Sequence, residues 1–256
     1  MRTDVNIKTA NLFIVNYVTL KYSFIGGINM QKNYFKAEDL ADLLRNSAQS
    51  KFPERDAILI LFCGALGLTR QEISGLTISD IMNSDGTWKD AWITDKRYAY
   101  KGVERKVFMP PAIFTYLDQY VEWLYQLGLS VDNVSSYRGF KSDFIFIRND
   151  NKTPFSLLKR NHSRAEGLTS YHTRALDDKL ENLLNNSSLI GSTAAAFRDG
   201  YIMQLNALGL PITKIMALTG FKTRNSVKKK IERLSCGVDE ASTLILDSIN
   251  QYKHDE

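Results

Sequence analysis

Apolar residues recur at helical spacing along most of this chain, with one interruption where strand-forming residues take over. Helical spacing begins near Ala37. Glu38 and Asp39 suit a first turn, and Leu40, Leu43 and Leu44 share one face. A buried helix is predicted from Arg55 to about Leu66, because Ile58-Leu59-Ile60-Leu61-Phe62 has no polar stripe. A further helix is predicted from Arg70, ending before Asp80. Ahead of all this, residues 1–34 are weakly patterned. Leu12-Phe13-Ile14-Val15 and Ile25-Gly26-Gly27 read there as a strand or short arm.

Between Asp85 and Met109 the pattern changes. Trp88, Trp92, Ile93, Tyr98, Tyr100, Val103, Val107 and Phe108 are β-formers punctuated by Asp85-Gly86 and Lys101-Gly102, which predicts a small antiparallel sheet. Pro110-Pro111 then opens a helix that runs through Trp123 and Leu127 to a stop at Gly128. Phe144-Ile145-Phe146-Ile147 reads as a short strand, Arg160 to Gly167 as a loop, and Leu176 to Leu184 as a helix.

The last third is punctuated more clearly. Tyr201, Ile202, Leu205 and Leu208 share a helix face that Gly209 and Pro211 close. Ile212, Ile215 and Met216 lie on a short helix ended by Gly220. Val227, Ile231 and Leu234 lie on a third, which also carries Lys228, Lys229, Lys230 and Arg233. A fourth is predicted from Glu240 to Ile249. The fold class is therefore mainly α with a small antiparallel β-sheet, in one domain from residue 35 to 256 after the 1–34 arm.

Composition narrows the function classes. Hydrophobic residues make up 44% of the 256 and charged residues 24%, the balance of a globular protein. A net charge of +5 permits an anionic partner without requiring one. Cys63 and Cys236 are unclustered, and His162, His172 and His254 are scattered, so no metal or cofactor is expected; Cys63 reads as a small buried thiol. No stretch is apolar enough to span a bilayer and no secretory signal is evident, so a cytoplasmic protein is expected.

Three blocks in order carry a resemblance. They are Gly67-Leu68-Thr69-Arg70-Gln71-Glu72-Ile73 with Leu76-Thr77-Ile78-Ser79-Asp80-Ile81, Lys101-Gly102-Val103-Glu104-Arg105-Lys106-Val107, and Phe197-Arg198-Asp199-Gly200-Tyr201 through Ala207-Leu208-Gly209 with Met216-Ala217-Leu218-Thr219-Gly220-Phe221. Together they resemble the catalytic domain of the tyrosine recombinases, the phage integrase and Xer family, over roughly residues 35 to 234. The family reads Gly-Leu-Arg-x-x-Glu-Ile in the first block, a strand-turn-strand with a catalytic lysine in the second, and His-x-Leu-Arg-His then Leu-Leu-Gly-His in the third.

In that family a tyrosine attacks a DNA phosphate, two arginines clamp the charge that develops, histidines add hydrogen bonds, and a lysine protonates the leaving oxygen. The resemblance puts Thr69 where the first arginine is expected, Ala195 and Asp199 where histidines stand, and Phe221 after the glycine. Lys101 and Arg198 keep the lysine and second-arginine positions. Near residue 230, where the nucleophile belongs, the chain reads Lys228-Lys229-Lys230, and no tyrosine lies between Tyr201 and Tyr252. Arg70 is one helical step, about 100°, from the clamp position.

The expectation is a protein without recombinase catalysis that binds double-stranded DNA, nucleoid-associated, as a sequence-specific transcriptional regulator. Its contacts are expected from Arg70, Lys101, Arg198, Lys222, Arg224, Lys228, Lys229 and Lys230. For Arg198 the alternative to phosphate contact is a buried acidic partner. Two further readings stay open: an accessory factor for an active recombinase, and a recombinase whose nucleophile is a displaced Tyr252. Leu244, Ile245 and Ile249 on the last helix offer a homodimer contact.

Overall fold

A twelve-residue helix with almost no polar surface organises the domain. The computed structural model describes residues 32–131, 135–161 and 169–235. The 1–31 part of the expected arm, the Glu240–Ile249 helix with its dimer contact, and Tyr252 lie outside those residues.

Helix α1 (Ala37–Ser47) starts with Glu38 and Asp39 in its first turn. Helix α2 (Pro53–Gly64) begins on a proline whose missing N–H has no intrahelical role there. Every residue of α2 from Ile58 to Gly64 is buried, consistent with a helix enclosed on all sides. Each fully buried leucine or isoleucine contributes about 1.5–3 kcal/mol, so this run is a major part of the core. α1 packs on α2, as do α5 (Phe114–Gln126) and α7 (Ala195–Ala207).

The helix predicted from Arg70 is in fact two short ones, α3 (Arg70–Ser74) and α4 (Ile78–Ile81). Gly75 ends the first. Thr77 starts the second, its N–H and hydroxyl both donating to Asp80 Oδ2 at 2.8 and 2.7 Å. The strand predicted at Phe144–Ile147 reduces to one isolated bridge, Thr77 with Ile145. Its backbone runs beside the α3–α4 link, with Ile78 N bonded to Phe144 O and Phe146 N to Leu76 O, and that link is too short for a ladder.

Strands β1 (Ala91–Ile93) and β2 (Lys106–Phe108) pair antiparallel with Trp92 opposite Val107. This is the expected small sheet, but shorter: Tyr98 and Tyr100 leave the ladder for a turn in which Lys101 and Gly102 have φ of 53° and 68°. Trp88 and Trp92 are buried in the core. A second antiparallel pair, β3 (Leu158–Asn161) with β4 (Thr169–His172), includes Arg160, which the sequence reading placed in a loop. These strands are largely polar, so they carry no alternation to read. Helix α6 (Arg174–Asn185) follows directly.

The C-terminal helices match their punctuation. α7 stops before Gly209, α8 (Ile212–Thr219) ends on Gly220 at φ 67°, and α9 (Arg224–Ser235) buries Val227 and Leu234. α8 and α9 pack against each other and on α7. Close approach of residue 35 to α7 needs Gly200, where a Cβ would lie 2.1 Å from the Phe35 carbonyl oxygen. Phe35 N donates to Ala196 O at 3.1 Å, and the Phe35 and Phe197 rings meet edge-on at 4.8 Å. Among the described residues, no helix is long and apolar enough to cross a membrane.

Candidate functional site

Residues of the first and third sequence blocks meet at one cleft of about 330 Å3, and Arg105 of the second is bonded to Glu72 beside it. Thr69, Arg70, Ala195, Arg198, Asp199, Phe221 and Lys230 all line it. Lys222, Arg224, Lys228 and Lys229 do not. They are exposed, on α9 and the turn before it.

Beside the cleft sits Glu72, held from several sides. It closes a capping box with Thr69: Thr69 N donates to Oε2 at 2.7 Å, and Glu72 N donates to the Thr69 hydroxyl at 3.3 Å. Arg105, one residue before β2, reaches it side-on, with Nε to Oε1 and Nη2 to Oε2 both at 3.1 Å. Both side chains are 2% exposed or less. Burial alone would raise the Glu72 carboxyl. The charge and hydrogen bonds of Arg105, then Arg198 and Thr69 N–H, overcome this and hold it below the ordinary value of 4.5.

Arg105 is the residue that sequence reasoning missed. Its remaining donors go to Gly67 O at 2.9 Å and Leu218 O at 2.6 Å. Arg198 mirrors it, donating to Gly67 O at 3.3 Å and to Thr219 O. Leu218 and Thr219 are the last residues of α8, so two guanidinium groups satisfy carbonyls at the negative end of that helix. Gly67, at φ 61°, turns its carbonyl to both.

For Arg198 the structure supplies the acidic partner that was the alternative to phosphate contact. Its Nη1 lies 4.0 Å from Glu72 Oε2, and its side chain is 12% exposed. The Tyr100 ring, packed against the core, roofs it at 4.0 Å from centroid to Cζ. Burial, then the nearby charge of Arg105, lowers the Arg198 guanidinium from 12.5 to about 10.

The other expected contacts divide in two. Lys230, in the stretch where the resemblance leads one to expect a nucleophile, pairs with Asp199 at 2.5 Å, both side chains being mostly buried. Arg70 pairs with Asp177 of α6 at 2.7 Å and stays 44% exposed. Ala195 is the exposed first residue of α7, and Phe221 packs on Tyr100 at 5.4 Å between ring centroids. Lys101 is exposed at its turn, its ammonium 5.3 Å from the Tyr100 ring. Cys63 lines the inner wall, and burial pushes its thiol up to about 12.

Comparison of structures shows that this helical domain with short antiparallel strand pairs is similar in fold to solved tyrosine recombinases. The XerA recombinase matches with a TM-score of 0.54 at 14% identity, over 79% of this chain and 61% of that one. The XerH site-specific recombinase bound to difH substrate before cleavage matches at 0.54 and 16%, over 87% and 60%. The Tn1549 transposon integrase in complex with transposon right end DNA matches at 0.52 and 12%, over 90% and 68%. No protein-family model and no curated protein matches the sequence. The likeness establishes a tyrosine-recombinase-like fold, and this chain spans about three fifths of the two Xer recombinases.

Proposed function

We propose that the protein binds double-stranded DNA on this recombinase-like scaffold without cutting it, as a sequence-specific regulator of transcription. The observation that carries this reading is the internal pairing of the cleft. Lys230 with Asp199 in the cleft and Arg105 with Glu72 beside it satisfy one another, where a recombinase needs free groups to meet a scissile phosphate. The nucleophile position holds a lysine that is already engaged.

Beside the cleft, Lys222, Arg224, Lys228 and Lys229 are exposed and have no ion-pair partner among the described residues, and Lys101 adds a cation on the facing turn. They form the DNA-facing set. Arg198 and Lys230 support the scaffold beneath it. The recombinases of like fold include the XerH and Tn1549 complexes with DNA, which supports DNA as the partner.

Genome-wide binding and gel-shift assays test the reading. Sequence-preferring affinity at moderate salt is expected, and its absence sinks the proposal. Replacing Lys228 and Lys229 by alanine is expected to reduce the slope of log K against log salt by about 0.9 per lost phosphate contact. A nicked suicide substrate is expected to trap no covalent complex. A trapped adduct would establish a recombinase instead.

A further inference from the structure

The cleft is larger than its ion pairs need. Its volume of about 330 Å3 falls at the small end of the range for small-molecule sites, about 300–1,000 Å3. Its lining includes the apolar Leu68, Ile202 and Phe221 with the methyl groups of Ala194 and Ala195. Its charged lining is Arg70, Arg198 and Lys230 with Asp177 and Asp199, an excess of one cation. Arg198 keeps one buried donor, Nε, with no hydrogen-bond partner. A buried donor left unpaired is costly.

We propose that this cleft binds a small organic monoanion, a carboxylate on a compact apolar or aromatic body, and that its occupancy adjusts α9. The charge excess suits one negative charge, and Asp177 and Asp199 disfavour a dianion such as phosphate. The apolar wall needs a body to cover it. The link to α9 runs through Lys230, which lines the cleft and ties that helix to Asp199 of α7 at 2.5 Å. A carboxylate competing with Asp199 for Lys230 loosens this tie, and Lys228 and Lys229 move with the helix. The regulatory half rests on the DNA-binding reading above; the binding half does not.

The test uses the full chain, by calorimetric titration and thermal melts with benzoate, cinnamate and 1-naphthoate, against benzyl alcohol and inorganic phosphate. At least one arylcarboxylate is expected to saturate at one site and to raise the melting midpoint by about 2–4 °C at ten times its dissociation constant. The alcohol and phosphate are expected to do neither. Ala195→Phe fills the mouth of the cleft from an exposed position, so the fold is retained, shown by an unchanged melting midpoint without ligand. It is expected to weaken binding about tenfold or more. Saturation by none of the three carboxylates, equal binding of benzyl alcohol, or intact binding by the Ala195→Phe variant overturns the site. With the bound carboxylate, the dissociation constant for target DNA is expected to change at least about threefold. An unchanged constant overturns the regulatory half alone, while a chain that binds the carboxylate but no DNA overturns the DNA reading and leaves the site standing.

Discussion

Arg105→Met isolates what the buried pair contributes. The substitution keeps an unbranched side chain of similar length, yet removes two bonds to Glu72 at 3.1 Å and those to Gly67 O and Leu218 O. Glu72 then keeps Thr69 N–H at 2.7 Å and an arginine at 4.0 Å, in a site where its side chain is 2% exposed. Removing one partner of a buried ion pair costs about 3–5 kcal/mol, because the other charge stays desolvated. Against a total stability of about 5–15 kcal/mol this is a large fraction, expected to lower the urea midpoint by about 1–2 M. The double variant Arg105→Met, Glu72→Gln leaves no orphaned charge, and is expected to be at least about 1 kcal/mol more stable than the sum of the single effects. A single-variant loss under about 1 kcal/mol, or strict additivity in the cycle, would refute the role assigned to the pair.

Three further outcomes can be checked directly. Because Glu72 titrates below 4.5 in the folded chain, its stabilisation is fully present above the unfolded value and lost as pH falls through the folded one; Glu72→Gln is therefore expected to flatten the acid limb of stability against pH below about 4.5. Gly200→Ala places a methyl 2.1 Å from the Phe35 carbonyl oxygen and is expected to cost about 1–3 kcal/mol in chemical denaturation, whereas an unchanged midpoint would mean residue 35 does not dock on α7. Cys63, its thiol pushed up to about 12, is expected to stay unalkylated by iodoacetamide at pH 8 in the folded chain, read by mass spectrometry of that peptide; rapid labelling would contradict its burial.

What the sequence disclosed depended on punctuation. Gly209, Pro211 and Gly220 delimit α7 and α8 because a left-handed residue or a proline cannot continue a helix. The break at Gly75 was harder, since Thr77 restarts the helix only through a local bond to Asp80. The cleft was legible as a set of positions, and its pairing was not. Nothing near Lys230 announces Asp199, which lies one helix away in space and 31 residues away in sequence. Arg105 hid among Lys101, Glu104 and Lys106, though one signal was present: it alternates with Val107, and the two are buried on the same side. Its partner Leu218 is 113 residues distant, and only tertiary packing brings them together.

The closure of two guanidinium groups on the end of α8 also bears on which sequences this domain can reach by single steps. An arginine placed at position 69 would add a third guanidinium beside Arg105 and Arg198 and remove the threonine hydroxyl that caps α3. A tyrosine placed at position 230 would strip Asp199, 10% exposed, of its counter-ion. Each of these substitutions is thus expected to be destabilising when made alone, because the neighbouring groups are paired with the residues now present. Moves along that path must be made in pairs or larger groups, which makes the cleft an epistatic ratchet.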